Sequence, residues 1–139
     1  LIDKAGHEQL VRWSMVPHES YQPINASDKN DSNFLQNALQ QRLAKGPLLW
    51  DLMITVANAQ DKSDDASVAW PADRQVINAG TLTINQTTPQ QQGACNDINY
   101  DPLILPDGIA ASDDPILNAR SSAYAKSYNA RTREQAGAH

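Results

Sequence analysis

The sequence predicts an α+β fold, with antiparallel strands and two helices of different character. Three observations carry this. Apolar and β-branched stretches bounded by turn signals mark strands, and one segment repeats apolar residues at helical spacing. A long C-terminal segment has helix signals but almost no apolar stripe. The length, 139 residues, suits one domain.

Residues 8–16, EQLVRWSMV, read as the second arm of a hairpin. The turn is Asp3-Lys4-Ala5-Gly6, and Leu1 and Ile2 end the first arm. Residues 17–30 are polar with two prolines and read as loop. In DSNFLQNALQQRLAKGP, Phe34, Leu35, Ala38, Leu39 and Leu43 recur at helical spacing; Asp31 or Ser32 can cap the start, and Gly46-Pro47 stops the helix. LLWDLMITVA, residues 48–57, reads as a strand, and QDKSDDAS as a solvated charged loop. RQVINAGTLTIN, residues 74–85, predicts one or two short strands with a kink near Gly80. Residues 86–102 read as loop, and DPLILPDGIAASDDP as extended chain punctuated by proline. Asp114 is placed to cap a helix with Pro115 at its first position, running to about Arg133.

A formal net charge of −5 and the lack of a basic patch argue against nucleic-acid binding. No apolar run approaches the ~20 residues of a membrane span. Cys95 is the one cysteine, so an internal disulfide is excluded and the redox compartment stays open. Leu1, not Met, comes first, which suits a processed chain or a piece of a longer one. Asp61, Asp64 and Asp65 lack the Gly and terminal Glu of a calcium loop. Trp13, Trp50 and Trp70 suit packing better than sugar stacking.

The stretch ARSSAYAKSYNAR, residues 119–131, has a spacing of Arg and Tyr with chemical consequences. At 100° per residue, Arg120, Tyr124, Ser127 and Arg131 fall within about 60° of one another, with Tyr128 at the border. Arg120 and Tyr124 are spaced i, i+4, which brings their side chains together. A guanidinium beside a phenol favours the phenolate, and with a ferric ion it can sustain a tyrosinate axial ligand to haem iron. Arg131 lies about 10 Å farther along the axis, a reach suited to a haem propionate. Taken alone, the same spacing is also that of a solvated face with a cation–π contact.

The surrounding residues decide between these. YDPLILPDGIAASDDPILNARSSAY resembles the segment of the haem catalase superfamily that delivers its proximal Tyr. VAWPADRQVINAGTLTINQ resembles an upstream wall segment of that family. SDDASVAWPADR, KGPLLWDLMITVA and LVRWSMVP are closer to the small catalase-related peroxidases than to full catalases. The resemblance covers nearly the whole chain.

It implies haem b, with Tyr124 as axial ligand to the iron and Arg120 holding it as phenolate. Arg131 then binds a propionate, Asp114 orients Arg120, and Ser127 and Tyr128 complete the cofactor face. Lys126 departs from the family, which has Asp there; Tyr128 stands where many catalases have Gln or His; Ser14 falls where full catalases have a strand His. The family's distal His and its polar partner have no counterpart, since His7, His18 and His139 occupy no matching motif.

The implied fold is a partial antiparallel β-barrel of the catalase type, with appended helices and the haem-ligand helix at the C-terminus. The whole chain, residues 1–139, would be the C-terminal part of one haem domain whose N-terminal half carries the distal groups. The implied activity is reduction of hydrogen peroxide or small organic peroxides, with an electron donor, by the parent protein; these residues alone would be inactive. Open strand edges would pair with the N-terminal half or a partner chain, a homo-oligomer included, and at least one of the strands near 8–16 and 48–57 should lack a neighbour. Two alternatives stand: rearrangement of hydroperoxides as in allene oxide synthases, and a degenerate barrel module with no catalysis.

Overall fold

A computed structural model describes residues 1–25, 28–89 and 94–137. Its elements are β1 (Val11–Pro17), α1 (Phe34–Leu43), β2 (Leu48–Val56), β3 (Val76–Ile84) and α2 (Pro115–Ala136). Short 3-10 turns lie at Asp28–Asn30 and Ala94–Asp97. The chain forms two compact units: Leu1–Arg12, Val56–Gln75 and Thr88–His139 make one, Trp13–Thr55 and Val76–Thr87 the other. Within the loop expected at 17–30, residues 26–27 lie outside the described residues; so do 90–93 of the loop expected at 86–102, and His139.

The second unit holds the sheet, ordered β1-β2-β3. β2 and β3 run antiparallel from Leu48↔Ile84 to Thr55↔Val76. β2 is central, so of the two candidate segments the one near 8–16 is the edge: among the described residues β1 and β3 flank an open sheet, and no closed barrel forms. The kink expected at Gly80 is a bulge inside one continuous strand. Leu52 pairs with Gly80 but Met53 with Asn78, leaving Ala79 as the extra residue. Gly80 has φ 151, a conformation that favours glycine, and its N–H bonds to Asn78 Oδ1 at 2.9 Å. The shift has a consequence for the faces. Without it Ile54 would stand opposite Asn78; with it Ile54 stands opposite Ile77, so the apolar row Leu48, Trp50, Leu52, Ile54 keeps apolar partners on both sides of the bulge.

α1 begins at Phe34 with Asn33 as N-cap, not Asp31 or Ser32. Asp31 still serves the start, since its Oδ1 accepts from Asn33 N–H at 2.8 Å and its Oδ2 from Asn37 Nδ2 at 2.9 Å. The sheet and α1 bury little among themselves. Leu48, 6% exposed, is the one buried apolar residue among those described, whereas Trp13 is 69% and Leu82 50% exposed. Trp13 therefore does not pack as its type suggests.

In the first unit, the expected turn near the start is present. Ile2 bridges Glu8, Asp3 N–H bonds to His7 O at 3.0 Å, and Gly6 takes φ 85. The strand proper starts at Val11, three residues later than the sequence suggested. The loop expected to be solvated is a folded clasp. Arg74 grips Asp61 with two bonds, Nε to Oδ2 at 2.7 Å and Nη2 to Oδ1 at 3.0 Å. Arg12 stacks 4.3 Å over Trp70 and donates to the carbonyls of Val68 (2.6 Å) and Asp65 (2.9 Å). Trp70 Nε1 donates to Lys62 O at 3.1 Å. The Asp61 carboxyl is held below the usual carboxylate range, chiefly by the bond from Arg74.

Candidate functional site

α2 starts as its sequence dictates. Asp114 is the N-cap, extended at ψ 116, and its Oδ1 accepts from Ile116 N–H at 2.9 Å. Pro115 takes the first helical position, where a missing N–H costs nothing. The helix runs to Ala136, three residues beyond the expected end, and none of its residues is buried. Helix propensity and caps hold it, not an apolar stripe.

Its polar face is assembled as the spacing predicts. Arg120 Nη2 donates to Tyr124 Oη at 3.1 Å, and the guanidinium carbon lies 5.5 Å from the ring centroid. Arg131 Nη1 donates to Ser127 Oγ at 3.1 Å, and its guanidinium lies 5.8 Å from the Tyr128 ring. Arg120, Tyr124, Ser127, Tyr128 and Arg131 thus form two adjoining i, i+4 pairs with a tyrosine at the border.

Asp114 is not brought to Arg120. Its carboxylate is buried, 9% exposed, and is bonded to the Ile116 amide. Among the described residues Arg120 has one hydrogen-bond partner, the Tyr124 phenol. The two roles that one carboxylate would have had to share resolve here in favour of the cap.

Spacing alone did not reveal the ties from α2 to the preceding segment. Ser121 Oγ donates to Asp101 Oδ2 at 2.5 Å, and Arg131 Nη2 donates to Ile98 O at 3.0 Å. Asp101 stands in the stretch read as extended chain punctuated by proline, and its helix partner, 20 positions on, was not legible there. The Tyr100 phenol beside it is pushed above its ordinary pKa, first by a hydrogen bond with Cys95 and then by desolvation. Two histidines also have partners that the sequence did not show. His7 Nδ1 lies 2.9 Å from Asp3 Oδ2, and in the other unit His18 Nε2 lies 2.9 Å from Asp51 Oδ1, which also accepts from Thr81 Oγ1 at 2.8 Å. Both remain exposed to solvent. Among the described residues no cluster of His, Cys, Asp and Glu could hold a metal ion, and no helix is long and apolar enough to cross a membrane.

Residues 1–136 match the family model described as Catalase. Over 134 residues the chain is 41% identical to a protein of Synechococcus elongatus named catalase-related peroxidase, covering 95% of this chain and 40% of that one. A protein of Mycolicibacterium paratuberculosis with the same name is 33% identical, with 96% and 43% covered. Catalase isozyme 2 of Cucurbita pepo is 28% identical, with 90% and 28% covered. The chain therefore spans about two-fifths of the length of the two peroxidase relatives.

Proposed function

As this chain belongs to the catalase family, we propose that it supplies the proximal, tyrosine-bearing part of a haem-dependent peroxidase that reduces hydrogen peroxide or small organic peroxides. The observation that carries this reading is the Arg120–Tyr124 hydrogen bond on a helix inside the matched residues.

The donor set fits haem b. Tyr124 offers a phenol oxygen that accepts a hydrogen bond from the Arg120 guanidinium, a donor atom of the kind that can ligate haem iron. Arg131 has guanidinium donors beyond the two engaged by Ser127 and Ile98, enough to grip a propionate carboxylate. In this reading Tyr124 would ligate the haem iron through its phenol oxygen, to which Arg120 donates a hydrogen bond. Ser127, Tyr128 and Arg131 line the cofactor's edge. Asp114 acts on this constellation through the helix start that it caps. Haem, when bound, supplies the redox chemistry that reduction of a peroxide requires.

Acid–base work on the peroxide is assigned to the part of the relatives' length that this chain does not span, since the exposed His7 and His18 occupy no motif that matches the family's distal histidine. The 139 residues by themselves are therefore expected to leave peroxide unreduced. The exposed sheet residues Trp13 and Leu82 support the same reading, because the remainder of a barrel or a partner chain would cover them. An electron donor completes the cycle.

The test is the absorption spectrum of the full-length protein and of Tyr124→Phe after haem reconstitution. A ferric tyrosinate band present in the first and lost in the second is the expected result. Haem uptake without that band, or a band that survives in Tyr124→Phe, overturns the reading.

A further inference from the structure

α2 is tied to the segment before it at two points that flank Tyr124. One is Ser121 Oγ to Asp101 Oδ2 at 2.5 Å; the other is Arg131 Nη2 to Ile98 O at 3.0 Å. The two helix residues lie about 15 Å apart along the axis. Asp101 is itself fixed from its other side. Its Oδ1 accepts from Leu103 N–H at 2.9 Å, and its carbonyl accepts from Ile104 N–H at 3.2 Å, closing the turn. One carboxylate oxygen therefore holds the turn while the other holds the helix, and both Asp101 and Ser121 are half-buried.

The placement of Ser121 gives this bond its significance. It stands next to Arg120 in sequence and is rotated about 60° from Tyr124 around the helix axis. No residue of α2 is fully buried, and of its apolar and aromatic residues only Leu117, Tyr124, Ala125 and Tyr128 are half-buried, so apolar packing fixes the rotation of the helix only weakly. A helix held only at Arg131 can roll about that point; a second tie one turn from the phenol stops the roll where the Arg120–Tyr124 pair sits. A hydroxyl bond to a carboxylate is stronger than a neutral one and suits that task.

We propose that Ser121 and Asp101 are positioning residues for the tyrosine ligand. Their bond sets the direction of the Arg120–Tyr124 pair and so the quality of the bond from Tyr124 to iron. The proposal rests on the reading of Tyr124 as the haem ligand.

The experiment uses the haem-reconstituted full-length protein as wild type, Ser121→Ala, Ser121→Thr and Asp101→Asn. Three quantities are read: the position of the ferric tyrosinate band, the rate at which haem passes to excess apomyoglobin, and the thermal unfolding midpoint. Ser121→Ala is expected to shift the band and speed haem transfer about tenfold, the scale of a lost hydrogen bond to a charged acceptor. Ser121→Thr keeps the hydroxyl and restores both. Asp101→Asn, which keeps the turn but loses the charge, moves both in the same direction by less, and it carries the test should Ser121→Ala not fold. A lower midpoint with an unmoved band and an unmoved transfer rate means a merely structural bond and overturns the proposal, while the wild-type band leaves the ligand reading standing. A wild type that binds haem without a tyrosinate band overturns both.

Discussion

The clasp of residues 57–75 and the polar face of α2 use the same residue types in opposite ways. In the clasp, arginines are consumed. Arg74 has two bonds to Asp61 and a third contact to Asp73 at 2.7 Å, and Arg12 is spent on two carbonyls and the Trp70 ring. The Asp61 and Arg74 side chains are 5% and 11% exposed, so their charges answer each other out of water. On α2, Arg120 has a single hydrogen-bond partner among the described residues, and that partner is a phenol, not a carboxylate. Arginine paired with carboxylate closes a loop; arginine paired with phenol leaves a cation and an oxygen available to a ligand. The difference separates a charged region that serves structure from one that is a candidate site.

Several substitutions can break or sharpen that contrast. The largest effect is expected of Tyr124→Phe, which should abolish the tyrosinate band while leaving the thermal midpoint of the haem-free protein where it was. Arg120→Ala should follow, weakening haem retention about 10–100-fold, as loss of a ligand's hydrogen-bonding partner does. It too should spare the haem-free midpoint, since the guanidinium is exposed. Arg74→Met should do the reverse: the midpoint falls because Asp61 is left without its partner, and the haem spectrum is unchanged.

The clasp also has a pH signature. Asp61 is held below the usual 3.8 in the folded chain, chiefly by the bond from Arg74. Between that lower folded value and 3.8 the unfolded chain binds more protons, so the contribution is fully present above 3.8 and is lost as pH falls through the folded value. Thermal melts across this range should show a steeper acid limb in wild type than in Arg74→Met. The smallest effect is expected at Arg42, whose bond to Glu19 at 3.0 Å joins two exposed side chains. Arg42→Gln should leave the melting curve unmoved. A large shift there would mean that surface pairs stabilise this protein as much as the clasp does.

Much of α2 was legible because helix geometry is local. The cap at Asp114, the proline at the first position and the i, i+4 pairs Arg120–Tyr124 and Ser127–Arg131 follow from spacing within a few residues. The strands were legible from their apolar runs, and Gly80 marked the bulge because only a residue without Cβ takes that backbone freely. That Asp114 bonds the Ile116 amide and not Arg120 was not available to local reasoning, because a carboxylate's choice between an amide and a guanidinium depends on which is nearer in three dimensions.

The sequence by itself determined the kinds of element, their order and the face on which the candidate ligand and its arginines lie, since each is set by periodicity over a few residues. The tertiary structure alone decided who answers whom across long separations. Asp61 goes to Arg74, Asp51 to His18, Asp101 to Ser121 and Ile98 O to Arg131. A sequence rich in Asp, Arg and Ser offers many such pairings of similar local merit, and only the path of the chain brings one of them to hydrogen-bonding distance.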